Sequence, residues 1–330
     1  MSPDSWNYYY TANGFLTTGE FLIGTSLNLI CLTYFIRKRP TAINFIFAVI
    51  SGTDLLLSSI MVFSAITAFS GGKAMIFENS VFCNIWGLLW HTGCGFSIFL
   101  MSLLAVTRLV GLARPLRKVK LGGVAGITLV YLAVQVFKST MNYWYVGESY
   151  LFNSAFLGCS VSNINTLDIT ILDRILYAFL YIFEVMVPGV ITIIFSVATF
   201  LLLLHKDKTL QSSTATPMKP KKGQAATSEF ETAWKNKRYA SVTVLMVLST
   251  YLALNVWFWC LTLGDAFYIF SNKKLNYVSL WKGDIDSYYM MYYVIYIHTV
   301  VLNSAANGII YLVRLKGIQI YMKSFIRGLK

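Results

Sequence analysis

The chain has 330 residues, of which 56% are hydrophobic and 12% charged, with a formal net charge of +13 and a mean hydropathy of +0.61. Soluble domains carry about 25% charged residues, so this composition excludes an ordinary soluble domain and points to a polytopic membrane protein. The positive charge is not a nucleic-acid signature, because it gathers between apolar runs on one side of the membrane.

Apolar runs long enough to cross about 30 Å of hydrocarbon fall at about 16–36, 43–69, 82–112, 122–145, 171–204, 239–264 and 286–313. Seven spans predict an all-α membrane protein, a seven-transmembrane helix bundle forming one domain over 1–330. Residues 1–15 are polar and aromatic, without the basic start and apolar core of a cleaved signal. Arg37, Lys38 and Arg39 follow the first span, and Arg114, Arg117, Lys118 and Lys120 follow the third. The segment 206–236, between the fifth and sixth spans, is rich in Lys, Ser, Thr and Pro and is expected to be a disordered cytosolic loop. Arg314, Lys316, Lys323, Arg327 and Lys330 follow the seventh. In all, 20 of the 27 basic residues fall on one side, which predicts an outside N-terminus and a cytosolic C-terminus. At about 314–326, basic residues alternate with Leu315, Ile318, Ile320, Tyr321 and Phe325, the pattern of a short amphipathic helix on the inner leaflet.

Polar residues inside the spans carry more information. Asn303, Asn307 and Tyr311 are four residues apart and share one helix face. An unpaired amide in hydrocarbon costs several kcal/mol, so that stripe must face protein or water. Asp54 lies mid-span, where insertion costs about 2.5–3.5 kcal/mol, so it too requires partners. Pro188 in the fifth span has no amide hydrogen, which leaves the Glu184 carbonyl without its helical donor and bends the helix. Cys31, Cys94 and Cys260 lie in apolar runs as packing residues, and the sequence has no Cys/His metal cluster and no nucleophile elbow. An enzyme is therefore not expected.

The segment Asn307-Gly308-Ile309-Ile310-Tyr311, preceded by Asn303-Ser304, resembles the Asn-Pro-x-x-Tyr motif of rhodopsin-like (class A) G-protein-coupled receptors. Gly24-Thr25-Ser26-Leu27-Asn28 is similar to that family's first-helix signature, and Asn44 with Asp54-Leu55-Leu56 to its second. Cys83, Arg108 and Pro115 reproduce the third-helix spacing of a disulfide cysteine, a cytosolic arginine and a loop proline. The resemblance covers helices 1 to 3, 5 and 7. It implies a divergent orphan receptor in the plasma membrane that passes an extracellular ligand signal, from a small molecule or a peptide, to heterotrimeric G proteins. Membrane lipid surrounds it, and arrestin would engage Thr209, Ser212, Ser213, Thr214 and Thr216.

The same resemblance implies a Cys83–Cys159 disulfide and a sodium- and water-filled pocket of Asp54, Ser97, Asn303, Ser304, Asn307 and Asn28. A protonated Asp54 in purely structural hydrogen bonds is the alternative. Switching residues would be Arg108, Tyr311 and Pro115, with Pro188, Ile98 and Tyr251 as a packing triad. A ligand would meet Trp86, Trp90, His91, Glu184, Phe258, Trp259, Tyr293 and Ile297, where aromatics can cage a cation. Val301 stands where opsins carry the retinal lysine, so no retinal is expected. Trp90 stands at the amine-binding position of aminergic receptors.

Several residues depart from the pattern. Thr107 replaces the acid beside Arg108, and Lys237 stands where some members place a second acid. Both changes predict a weakly held resting state. Leu254-Asn255-Val256-Trp257 replaces the sixth-helix motif, and Gly308 replaces a proline, where glycine offers a weak point in the helix. A transporter or channel is the competing reading. A transporter predicts internal repeats, which the two halves lack.

Overall fold

A computed structural model describes residues 3–71, 80–113, 119–145, 149–153, 158–162, 171–214, 234, 238–256, 259 and 287–328, with side chains over 10–71, 81–82, 84–113, 119–140, 186–207, 234, 238–256, 259, 298–324 and 327. Five long helices come first: α1 (Pro3–Arg37), α2 (Ala42–Phe69), α3 (Ser80–Ala113), α4 (Leu121–Tyr145) and, after a hairpin, α5 (Ile171–Thr214). Then follow α6 (Arg238–Val256), α7 (Ser287–Arg314) and α8 (Lys316–Gly328). The hairpin pairs β1 (Ser149–Asn153) with β2 (Gly158–Ser162) in antiparallel register, with Phe152 opposite Cys159. It packs against α3 and is a small addition to an otherwise helical architecture.

Among the described residues, six helices, α1 to α6, contain stretches long and apolar enough to cross a membrane. The chain is a multi-pass membrane protein. Large apolar side chains left exposed on α4 (Ile127, Val130, Val134, Phe137) and α5 (Val190, Ile194, Val197, Leu201) face the only solvent that would accept so many of them, lipid. Burial ranks the helices. Within the apolar windows, 61% of α3 and 56% of α2 residues are buried, against 17% for α4. α3 and α2 are therefore central, and α4 lies at the rim.

Local chemistry sets the helix ends. Thr41, in extended conformation, caps α2 by accepting the Asn44 N–H at 3.2 Å. α2 stops where Ser70 N–H bonds Ile66 C=O at 3.1 Å and Gly71 takes φ +68°, a conformation open to glycine. α5 runs through Pro188 and continues to Thr214, so helix extends into the segment expected to be disordered from 206. The reason is visible on α5 itself: Lys206 and Asp207 are tied to α3 and α6, as described below. α8 buries Ile318 and exposes Ile320, and Tyr321 lies against Tyr34 of α1 with ring centroids 5.9 Å apart.

Gly308 does not interrupt its helix. α7 is one continuous helix of 28 residues, and α1 passes so close that a Cβ on Gly308 would lie 2.7 Å from Leu27 Cβ. Glycine is required there by the approach of two helices, which the sequence alone did not suggest.

Candidate functional site

Asp54 is fully buried, yet both carboxylate oxygens are bonded. Ser304 Oγ donates to Oδ1 at 3.1 Å and Asn307 Nδ2 to Oδ2 at 2.8 Å. A hydrogen bond to a charged group contributes about 1.5–3 kcal/mol, so two of them offset the insertion cost of the carboxylate. The four-residue spacing of α7 presents Asn303 and Asn307 on one face, and Ser304 is their neighbour. Asn28 joins α1 to the same place, its amide donating to Gly24 C=O at 2.9 Å and to Ser304 C=O at 3.0 Å. Tyr311 ends the stripe, buried between Phe47 (ring centroids 5.0 Å) and Phe35 (5.6 Å).

Above Asp54, a small cavity is lined by Cys94, Ser97, Ile98, Tyr251, Asn255, Val300 and Asn303. The space open to water centres, about 10 Å³, is enough for one water molecule. The cavity brings Ile98 and Tyr251 together, while Pro188 is buried on α5. Among the described residues, buried oxygens of Asn28, Asn303 and Asn307 (all Oδ1) and the hydroxyls of Tyr251 and Tyr311 have no partner. A carboxylate, a serine hydroxyl and free amide oxygens are the hard donor set that a small cation accepts, so these residues fit a sodium ion in donor chemistry.

No protein-family model and no curated protein matches the sequence. Among solved structures, the crystal structure of squid rhodopsin superposes with a TM-score of 0.73 at 13% identity, covering 98% of this chain and 87% of that one. The fold is rhodopsin-like. Within it, Ser304 and Asn307 meet Asp54 and Asn28 meets Ser304, while Asn303 and Ser97 line the cavity.

The end of the rhodopsin-like bundle that carries Arg37, Arg108, Arg238 and Arg314 is built differently from the expectation. Arg108 is buried, and its Nε donates to Ser241 Oγ at 2.8 Å. The end of α6 is clasped from two more sides. Arg238 pairs with Asp207 of α5 at 2.9 Å, and Trp234 Nε1 donates to the same carboxylate at 3.2 Å. Lys206 bonds the Leu112 carbonyl at the end of α3 at 2.8 Å and lies 5.4 Å from the Trp234 ring. Tyr239 donates its hydroxyl to the Arg314 carbonyl at the end of α7, and the Arg314 guanidinium lies 4.4 Å from the Tyr239 ring. A serine hydroxyl and peripheral clasps thus occupy the region where an acid facing Arg108 was lacking.

At the opposite end, Trp86 and Trp90 are buried and stacked, with ring centroids 5.7 Å apart, and Trp259 lies against Gly189 of α5. His91 is the next residue after Trp90 on α3, and its side chain is accessible in the bundle. The side chains of Glu184, Phe258, Tyr293, Ile297, Cys83 and Cys159, together with Pro115 and Lys237, lie outside the described residues.

Sequence reading missed one polar cluster. His298 of α7 has Nδ1 3.0 Å from both Glu20 carboxylate oxygens and Nε2 2.8 Å from Asn13 Oδ1 on α1. A signal was present: Asn13, Glu20 and Asn28 are spaced seven and eight residues apart, one face of α1.

Proposed function

We propose that the chain is a cell-surface G-protein-coupled receptor with seven spans, its N-terminus outside and its basic end in the cytosol. α7, with 28 residues and a length of about 42 Å at 1.5 Å per residue, is the seventh span. The observation that carries the reading is the bonding of Asp54 by Ser304 and Asn307. A buried carboxylate joined to the polar stripe of α7, in a rhodopsin-like fold, gives that helix partners it can exchange between two arrangements. An outside ligand that binds one arrangement better would shift the balance, and the cytosolic end of α6 would open toward a G protein.

In this reading Asp54, Ser304, Asn303 and Asn307 hold a sodium ion, with Ser97 and Asn28 bounding its pocket. The ion supplies charge balance for the carboxylate when bound. The buried Trp86 and Trp90, with the half-buried Trp259, form the floor of a ligand site that includes Glu184, Phe258, Tyr293 and Ile297. Cys159 is on the strand pair that packs against α3, the helix bearing Cys83, and this supports a disulfide between them. Pro188 and Tyr251 repack with Ile98 as α6 moves. The clasps by Ser241, Asp207 and Tyr239 replace the missing acids and hold the resting state, so basal output is lower than Thr107 and Lys237 alone suggest.

The test is guanine-nucleotide exchange on added heterotrimeric G proteins by the purified chain in lipid nanodiscs, with ion flux measured in parallel liposomes. Exchange supports the receptor. Flux without exchange would favour a transporter or channel.

A further inference from the structure

The cluster of Glu20, His298 and Asn13 has no part in the seam at Asp54, although its three members are at most 8% exposed. A buried ion pair is weak evidence for stability, since a well-packed apolar pair does as well, and its best-attested uses are register and switching. An ionisable residue within a span marks a function by default. The geometry is also specific about protons. Both ring nitrogens of His298 face oxygen acceptors, the carboxylate on one side and an amide oxygen on the other. An imidazolium donates to both, whereas a neutral ring donates through one nitrogen and turns a lone pair on the other acceptor.

We propose that Glu20, Asn13 and His298 form a proton-binding latch between α1 and α7, closed while the His298 ring carries both protons and loosened when it gives one up. The cluster lies toward the end where α1 begins. Gly14, next to Asn13, touches Phe69, the last residue of α2, and Glu20 lies about 9 Å deeper at 1.5 Å per residue. The assignment of this end to the outside rests on the orientation proposed above. Among the described residues, few other charges lie on the helices around the latch. α2 packs against both α1 and α7, and its one charged residue, Asp54, is committed to Ser304 and Asn307 further in. On α1 the remaining charges, Asp4 and Arg37, are near its two ends, and on α7 the other is Arg314.

The latch ties α1 to α7 above Asn28, whose amide holds the Ser304 carbonyl. Losing the proton would therefore free the upper part of α7 while its middle stays bound, changing the tilt of the helix that carries Asn303 to Tyr311.

The measurement is the distance between spin labels at Leu22 on α1, which is exposed, and at Met290 in the first turn of α7, in nanodiscs taken from mildly acid to mildly alkaline pH. The wild type should lengthen or broaden by on the order of 1–2 Å as pH rises, the size of a helix shift. The double variant Glu20→Gln, His298→Gln should show no such change, and His205→Gln, at the far end of α5, should keep it. A wild-type distance that ignores pH, or an equal response in the double variant, overturns the latch. Should the double variant fail to fold, ¹⁵N-histidine spectra of His91→Gln, His205→Gln protein, in which His298 is the remaining histidine, give a second reading. The ring should pass from doubly to singly protonated over the pH range in which the distance changes, and a ring that does not change there overturns the proposal. The distance response needs no G protein, so a distance that responds without nucleotide exchange supports the latch and counts against the receptor reading.

Discussion

The middle of the bundle and its basic end solve the same problem, a charge buried between helices, in different ways. Asp54 is fully enclosed and bonded by two α7 side chains that lie on one helical stripe. Arg108 is also buried, but its bond to Ser241 is supported from outside by contacts that use exposed groups and backbone carbonyls. The mid-bundle solution is specified by a few residues in register. The end solution is spread over α3, α5, α6 and α7, so no single residue pair defines it.

Breaking the middle should have the largest effect. Asp54→Leu strands the Ser304 hydroxyl and the Asn307 amide, each at a cost of about 1–3 kcal/mol. The variant should lose thermal stability in detergent well beyond Asp54→Asn, which keeps polar atoms in place. Equal losses would mean that the two bonds contribute nothing net. Sodium should raise the melting temperature of the wild type and leave Asp54→Asn unaffected. An unchanged sodium response in that variant would place any cation elsewhere.

Close packing of α1 on α7 comes next. Gly308→Ala puts a methyl group 2.7 Å from Leu27 Cβ and should cost about 1–3 kcal/mol by overpacking. Adding Leu27→Gly should recover part of it, as read by thermal unfolding. A stable Gly308→Ala would show that the helices part easily there.

At the basic end the effects should be smaller in stability and larger in signalling. Ser241→Ala removes the Nε bond of Arg108, at about 1–3 kcal/mol, and should raise basal nucleotide exchange. Asp207→Asn breaks a pair whose side chains are 25% and 58% exposed, worth about 0.2–1 kcal/mol. Its effect on stability should be slight and its rise in basal exchange the smaller of the two. An order reversed between these variants would move the main restraint from α3 to α5.

The contrast also explains what the sequence disclosed. Asp54 and the α7 stripe were legible because a carboxylate or amide in hydrocarbon must find partners, and few polar residues share its depth. The six spans α1 to α6 were legible from their apolar length. The clasps were not: Tyr239 and Lys206 bond backbone carbonyls of Arg314 and Leu112, which any residue supplies, and exposed charges such as Asp207 read as solvated surface. Gly308 misled because a glycine in place of a proline suggests weakness, while the requirement comes from Leu27 on another helix. Glu20 and His298 were each visible, but pairing them needed the relative rotation of α1 and α7, which spacing within one helix does not give.

The central claim is that this bundle is a receptor whose cytosolic end is held by Ser241 and the Asp207 and Tyr239 clasps in place of an acid. It is tested most directly by basal nucleotide exchange on heterotrimeric G proteins, comparing the nanodisc-embedded wild type with the triple variant Ser241→Ala, Asp207→Asn, Tyr239→Phe. Low exchange in the wild type and a clear rise in the triple variant is the expected result. Exchange absent from both, with both correctly folded and conducting ions, would contradict it.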